Sequence, residues 1–160
     1  MATAYEVKLL NKKEVASGTM AFQFEKPSGF DFKPGQFIDM TLINVPQTDA
    51  AGNNRDFSIA SSPKEPNLMI AMRMRSTAFK NFLKGAPPGT KIKIQGPFGS
   101  MTLPENTDRP VVLLAGGIGI TPFRSMAKFT VEAKLPHKIF LFYSNRRLED
   151  AAFFEEMKLL

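Results

Sequence analysis

The chain has 160 residues, 43% hydrophobic and 22% charged, with 15 Phe, 0 Trp and 0 Cys. That composition supplies a core and excludes wholesale disorder, and the lack of thiols excludes disulfides, thiolate metal centres, a cysteine nucleophile and any iron–sulfur cluster ligated by this chain. Lys and Arg number 21 against 15 Asp and Glu, and the resulting net charge of +6 favours anionic partners: nucleic acid, an acidic protein or a phosphate-bearing cofactor.

Met1–Leu10 mixes charged with apolar residues, so no signal peptide is expected. No apolar run approaches the roughly 18 residues of a membrane span, and the expected compartment is cytoplasmic. The first hundred residues read as strands. Tyr5, Val7 and Leu9 alternate with polar residues, as do Met20, Phe22 and Phe24. Leu68, Ile70, Met72 and Met74 alternate with Met69, Ala71 and Arg73, and Ile92 and Ile94 alternate with lysines. Period two predicts half-buried strands. Turn residues separate them at Pro27-Ser28-Gly29, Lys33-Pro34-Gly35, Ala51-Gly52-Asn53-Asn54 and Pro87-Pro88-Gly89. Short strands at this spacing predict a small antiparallel barrel or sandwich. Thr77–Leu83 is a helical insertion with Phe79, Phe82 and Leu83 on one face.

Residues 104–110 carry two prolines and mostly polar residues between them, and read as a linker between a first domain, 1–103, and a second, 111–160. Beyond it the grammar changes. Val111–Ala115 is a continuous apolar run, predicting a strand buried on both faces. Phe123, Met126, Ala127 and Val131 then recur at helical spacing, and Pro136 stops that helix. Ile139–Tyr143 reads as a second buried strand and Ala151–Leu160 as a second helix. This β-α-β-α order begins a parallel α/β domain. Two parallel strands make a poor independent sheet, so association into a homo-oligomer, or a longer parent chain, is expected.

Between the first apolar strand and its helix stands Gly116-Gly117-Ile118-Gly119-Ile120-Thr121-Pro122. The glycines leave room for a ligand, Thr121 is placed to cap the helix and Pro122 to open it. Free N–H groups at that turn suit a phosphate; the alternative is a mere tight turn. Ser144, Arg146 and Arg147 follow the second apolar strand, where arginine accommodates a 2′-phosphate and so favours NADPH over NADH. The alternative is that Arg146 and Arg147 face solvent or pair with Glu149 and Asp150. In Arg55-Asp56-Phe57-Ser58, the arginine offers a fork for diphosphate oxygens, Phe57 a flat stacking face and Ser58 a hydroxyl for a ring nitrogen. His137 is the single His, so no metal site is expected.

Lys33-Pro34-Gly35-Gln36-Phe37, Arg55 through Pro63, Gly96-Pro97-Phe98-Gly99 and the Gly116–Pro122 turn occur in an order that resembles the ferredoxin–NADP reductase family of flavoproteins. The resemblance implies a six-stranded antiparallel Greek-key barrel that binds FAD, followed by the first part of a parallel α/β nucleotide-binding domain. It implies that Arg55 meets the FAD diphosphate, that Phe57 stacks on the isoalloxazine, and that Ser58 hydrogen-bonds near flavin N5. Backbone amides of Ala78, Phe79 and Lys80 would cradle the diphosphate, and Asp56, Met72 and Arg73 complete the implied cofactor set. Gly116, Gly117, Gly119, Thr121 and Pro122 would take NADPH or NADH, with Thr121 near the nicotinamide, and Ser144, Arg146 and Arg147 its ribose end. Ser58 and Thr121 would flank the hydride transfer.

The family usually has tyrosine at the place of Phe57 and a serine where Lys80 aligns. Its later nucleotide-domain strands, Cys-Gly motif and carboxy-terminal aromatic have no counterpart here. The implied activity is NAD(P)H-dependent reduction of flavin, which then feeds electrons to a partner such as an acidic ferredoxin, a flavodoxin or an oxygenase. Two other readings stand beside it: a flavin-binding module without turnover, and a basic barrel for single-stranded nucleic acid. The barrel aromatics form no stacking ladder, so no nucleic-acid partner is expected.

Overall fold

A computed structural model describes residues 3–160. Six antiparallel strands form the larger sheet: β1 (Ala4–Ala16), β2 (Thr19–Glu25), β3 (Phe37–Leu42), β4 (Asn54–Ser58), β5 (Asn67–Arg73) and β6 (Lys91–Phe98). Their spatial order is β4-β3-β6-β1-β2-β5. β1 is long enough to pair with β6 through Ala4–Lys8 and with β2 through Leu9–Ala16. The Ala60 amide donates to the Met69 carbonyl at 2.7 Å, tying the segment after β4 to β5 and bringing the two edges together. The inward positions of these strands are apolar, so their alternation selects one face for the core. Phe22, Phe24, Ile38, Met40, Leu68 and Ile70 fill it, all at or below 1% exposure. The helix α1 (Ala78–Gly85) covers one end, burying Phe79 and Leu83, and Thr77 caps it by accepting from the Lys80 amide.

The second layer contains β7 (Val111–Gly116), a 3₁₀ turn over Gly117–Ile120, α2 (Thr121–Glu132), β8 (Ile139–Ser144) and α3 (Phe154–Leu159). β7 and β8 pair in parallel, from Val111 opposite Ile139 to Gly116 opposite Ser144. Together the two sheets have the barrel-plus-α/β architecture expected from sequence. No helix among the described residues is long and apolar enough to cross a membrane.

Four local expectations are corrected. β5 is buried on both faces from Leu68 to Met72, because Met69 and Ala71 meet Ala115, Ile120, Ala152 and Phe153 of the second layer. The reverse holds for β7 and β8. Leu113 and Ala115 are buried, but Val112, Leu114, Phe140 and Phe142 are 55–72% exposed, since the described residues cover one face of that sheet. Pro136 does not end α2. Lys134 adopts φ +52°, and the Leu135 amide reaches the Thr130 carbonyl at 2.9 Å, so the helix closes at Glu132, ahead of the proline. The last helix is confined to Phe154–Leu159, preceded by a buried Ala151-Ala152-Phe153 corner with Phe153 at φ +60°.

The layers are joined by an ion cluster as well as by apolar contact. Arg124 and Lys128 of α2 meet Glu65, after β4, and Glu156 of α3. Burial by itself would raise both carboxyls. Hydrogen bonds from Arg124, together with its charge, outweigh burial and hold both below the usual carboxylate range. Their contribution is therefore complete above the unfolded value of about 4.3 and is lost as pH falls through the lower folded values. Thermal midpoints followed by circular dichroism are expected to drop as pH descends below about 4. The double variant Glu65→Gln/Glu156→Gln should start lower at neutral pH and fall less across that window; a parallel fall would assign the acid sensitivity to other carboxylates.

Candidate functional site

β4 and the glycine turn face each other across one cleft of about 560 Å³. Asp56, Phe57 and Ser58 enter from β4, Met72 and Arg73 from β5, and Gly116, Gly117, Gly119 and Thr121 from the second layer. Three further residues line it that the sequence reading did not single out: Ala71, Arg75 and Ile118. Arg75 stands two residues beyond Arg73 and five before Lys80, so a basic run ahead of the inserted helix was the available signal.

The ring of Phe57 packs against Phe79, with centroids 5.7 Å apart. Phe79 in turn lies beneath the Arg55 guanidinium, 5.3 Å from the ring centroid. Arg55 does not line the cleft itself. Its Nη2 stands 3.4 Å from the Asp49 carboxylate, whose other oxygen accepts from the Ala78 amide at 3.0 Å. An internal anion thus bridges a guanidinium and the first amide of α1, the donor arrangement a phosphate oxygen requires. The Lys80 amide is taken by Thr77, and the Lys80 ammonium donates to the Arg73 carbonyl at 2.6 Å. Burial, then the positive charges of Arg75 and Arg55, lower the Lys80 pKa. Such a crowding of cations favours an incoming anion.

The glycine turn is open. A Cβ at Gly116, Gly117 or Gly119 would meet nothing within 4 Å, and only Gly117 has a positive φ, +51°. Neither packing nor backbone strain demands glycine at Gly116 or Gly119, and the space above them is open. Thr121 does not cap α2. It is the first helical residue, after the 3₁₀ turn, and its hydroxyl donates to the Ile118 carbonyl at 3.2 Å. Pro122 is therefore the second residue of α2, one place later than expected, and is buried outside the cleft lining.

A second cleft of about 270 Å³ is lined by Arg73, Gly117, Ser144, Asn145, Arg146 and Asp150. Arg73 and Gly117 line both clefts. Arg73 pairs with Asp150 at 3.4 Å, joining the barrel to the end of the second layer. Arg147 lines neither cleft and pairs with Glu149 at 3.3 Å on the surface, the bland alternative for that residue.

Residues 113–160 match the family model for the oxidoreductase NAD-binding domain. The chain is 28% identical to the sulfhydrogenase 2 subunit gamma of Pyrococcus furiosus over 96% of its own length and 53% of that protein. It is 27% identical to ferredoxin–NADP reductase B of Sorangium cellulosum over 99% of its length and 65% of that protein. Phthalate dioxygenase reductase shares the fold, with a TM-score of 0.79 and 24% identity over 97% of this chain and 48% of that one. The chain therefore spans between about half and just under two-thirds of these relatives. Over the part of these proteins that it spans, the chain is similar in sequence to ferredoxin–NADP reductase-like oxidoreductases, carries a match to their NAD-binding domain in residues 113–160, and shares their fold.

Proposed function

We propose that this chain binds FAD between β4, α1 and the glycine turn, takes hydride from NAD(P)H, and passes electrons to an acceptor protein. The observation that carries the reading is the single cleft shared by Phe57-Ser58 and Gly116–Thr121. A bound flavin would supply the redox chemistry, accepting hydride from nicotinamide C4 and releasing electrons singly. The chain's own residues bind and orient. Phe57, braced from behind by Phe79, offers its ring to the isoalloxazine. Ser58 offers a hydroxyl beside it. Arg55, with the Ala78 amide, takes the diphosphate in place of the Asp49 carboxylate, and Arg75 and Lys80 add charge. Thr121 and the open glycine turn receive the nicotinamide nucleotide, and Arg146 with Ser144 receives its ribose end, favouring NADPH. In this division residues 1–103 form the flavin unit, 104–110 the link and 111–160 the nucleotide unit. The net charge of +6 suits an acidic acceptor such as a ferredoxin or flavodoxin.

An anaerobic absorbance spectrum before and after NADPH addition tests this. Flavin bands that bleach support the whole reading. Bands that persist support flavin binding alone, and a protein that neither holds nor takes up flavin overturns it. Arg55→Ala removes a charge-assisted contact worth about 1.5–3 kcal/mol, so FAD binding should weaken roughly tenfold to a hundredfold. Unchanged affinity in a fluorescence titration would remove Arg55 from the diphosphate site.

A further inference from the structure

We propose that Arg124 is a positioning residue that fixes the glycine turn against the flavin strand, an inference that rests on the flavin–nucleotide reading above. Arg124 lies three residues after Thr121 in the first turn of α2, and its anchor Ala60 lies two residues after Ser58. The two residues expected to flank the hydride are thus joined by one short path through a single side chain.

Arg124 is 4% exposed, and each of its five N–H donors has a partner. Nη1 donates to the Ala60 carbonyl at 2.6 Å and to Glu65 at 2.9 Å. Nη2 donates to Glu65 at 3.2 Å and to Glu156 at 2.6 Å, and Nε donates to Glu156 at 2.8 Å. The Phe153 ring lies 5.1 Å from the guanidinium carbon. Lys128, one turn further along α2, meets the same two carboxylates at 3.0 and 3.2 Å, so two cations balance two anions.

The neighbouring contacts fall on the same segment. Ser125 donates to the Ser61 carbonyl at 2.7 Å, Ser62 donates to Glu132, and Lys64 donates to the Glu132 carbonyl at 3.1 Å. One side of α2 therefore docks on the chain that continues directly from β4. The buried apolar part of the junction is rich in alanine, with Ala21, Ala60, Ala71, Ala115 and Ala152 beside Met69, Ile120 and Phe153. Contact of that kind is non-directional and holds layers together without fixing their register. A planar fork with five filled donors fixes both distance and rotation. Hydride transfer needs that accuracy, since a displacement of about 1 Å can cost on the order of a hundredfold in rate.

The test compares Arg124→Lys and Arg124→Met with the parent chain. FAD affinity should change far less than the rate of flavin reduction, because Arg124 is not among the cleft-lining residues and acts on the site only through the placement of the glycine turn. The rate of flavin reduction at saturating NADPH should fall on the order of a hundredfold, with little change in KM. The long-wavelength absorbance of stacked nicotinamide and flavin should weaken in parallel. Lysine should not rescue, because it keeps the charge and loses the fork. Rescue by lysine, or a parental rate in Arg124→Met, would overturn the proposal.

Stranding Glu65 and Glu156 can unfold the methionine variant. The triple variant Arg124→Met/Glu65→Gln/Glu156→Gln removes the buried guanidinium together with its two half-buried carboxylate partners and should show the same loss of rate with FAD retained. A readout that needs no cofactor is amide hydrogen exchange. Gly116–Thr121 should exchange faster in the triple variant while the β1–β2 pairing stays protected. Unchanged exchange at that turn would overturn the positioning role whatever the cofactor does. A parent chain that takes up no flavin would instead overturn the functional reading and leave the exchange result to decide this one.

Discussion

Phe79→Ala is expected to lose about 3–5 kcal/mol of folding stability and to weaken FAD binding as well. Phe79 is 2% exposed and belongs to the barrel core, so truncation leaves a cavity at the end that α1 closes. The same ring supports Phe57 and lies under the Arg55 guanidinium. Its loss therefore frees two residues proposed to hold the cofactor. Urea denaturation should show a midpoint displaced by more than about 1 M, and flavin titration a weaker affinity than stability alone accounts for. Phe79→Leu fills most of the cavity without a flat face. It should recover most of the stability and less of the flavin binding; equal recovery of both would show that the aromatic face carries no separate role.

The second large effect is expected at Gly35→Ala. Gly35 has φ +100°, and a Cβ there would stand 2.1 Å from the Met101 carbonyl oxygen and 2.3 Å from the end of Met126. The methionine can swing aside, but the carbonyl belongs to the backbone leading into the second layer. Left-handed strain and overpacking add to about 3 kcal/mol or more. Gly29→Ala is the matched control, with φ +74° and nothing within 4 Å of its Cβ. It should cost only the strain, about 1–2 kcal/mol. Thermal melts of the two variants separate the contributions; equal losses would show that the Met101 segment yields freely.

The barrel was legible because its information is local. Alternation in β2, β5 and β6 marks the inward positions, and the turn residues between them mark the strand ends. That the glycine turn and Asp56–Ser58 would stand out was legible for the same reason, each being contiguous in sequence, and the structure brings them to one cleft. What escaped depends on contacts between distant positions. Met69 and Ala71 look like the solvent side of β5 until the second layer covers them. Asp49 gives no sign in a polar loop that its carboxylate will reach the start of α1, 29 residues away. Glu65, Arg124 and Glu156 are ordinary surface types in sequence, and their burial comes only from the meeting of three elements. The apolar run of β7 pointed to cover on both faces, and the described residues supply cover on one.

That run has a consequence for the phase of the strand. Ordinarily a shift of one residue turns a strand's greasy side to water and is strongly opposed. In β7 both sides are greasy, with Leu113 and Ala115 on one and Val112 and Leu114 on the other. Hydrophobicity therefore barely distinguishes the correct alignment from its neighbour. The discrimination falls to the next two elements of the chain, the Gly117–Ile120 turn and then α2, where the five hydrogen bonds of Arg124 tolerate no such slip. A charged side chain, buried beside a strand that is apolar on both sides, thus adds the directional constraint that hydrophobicity leaves out.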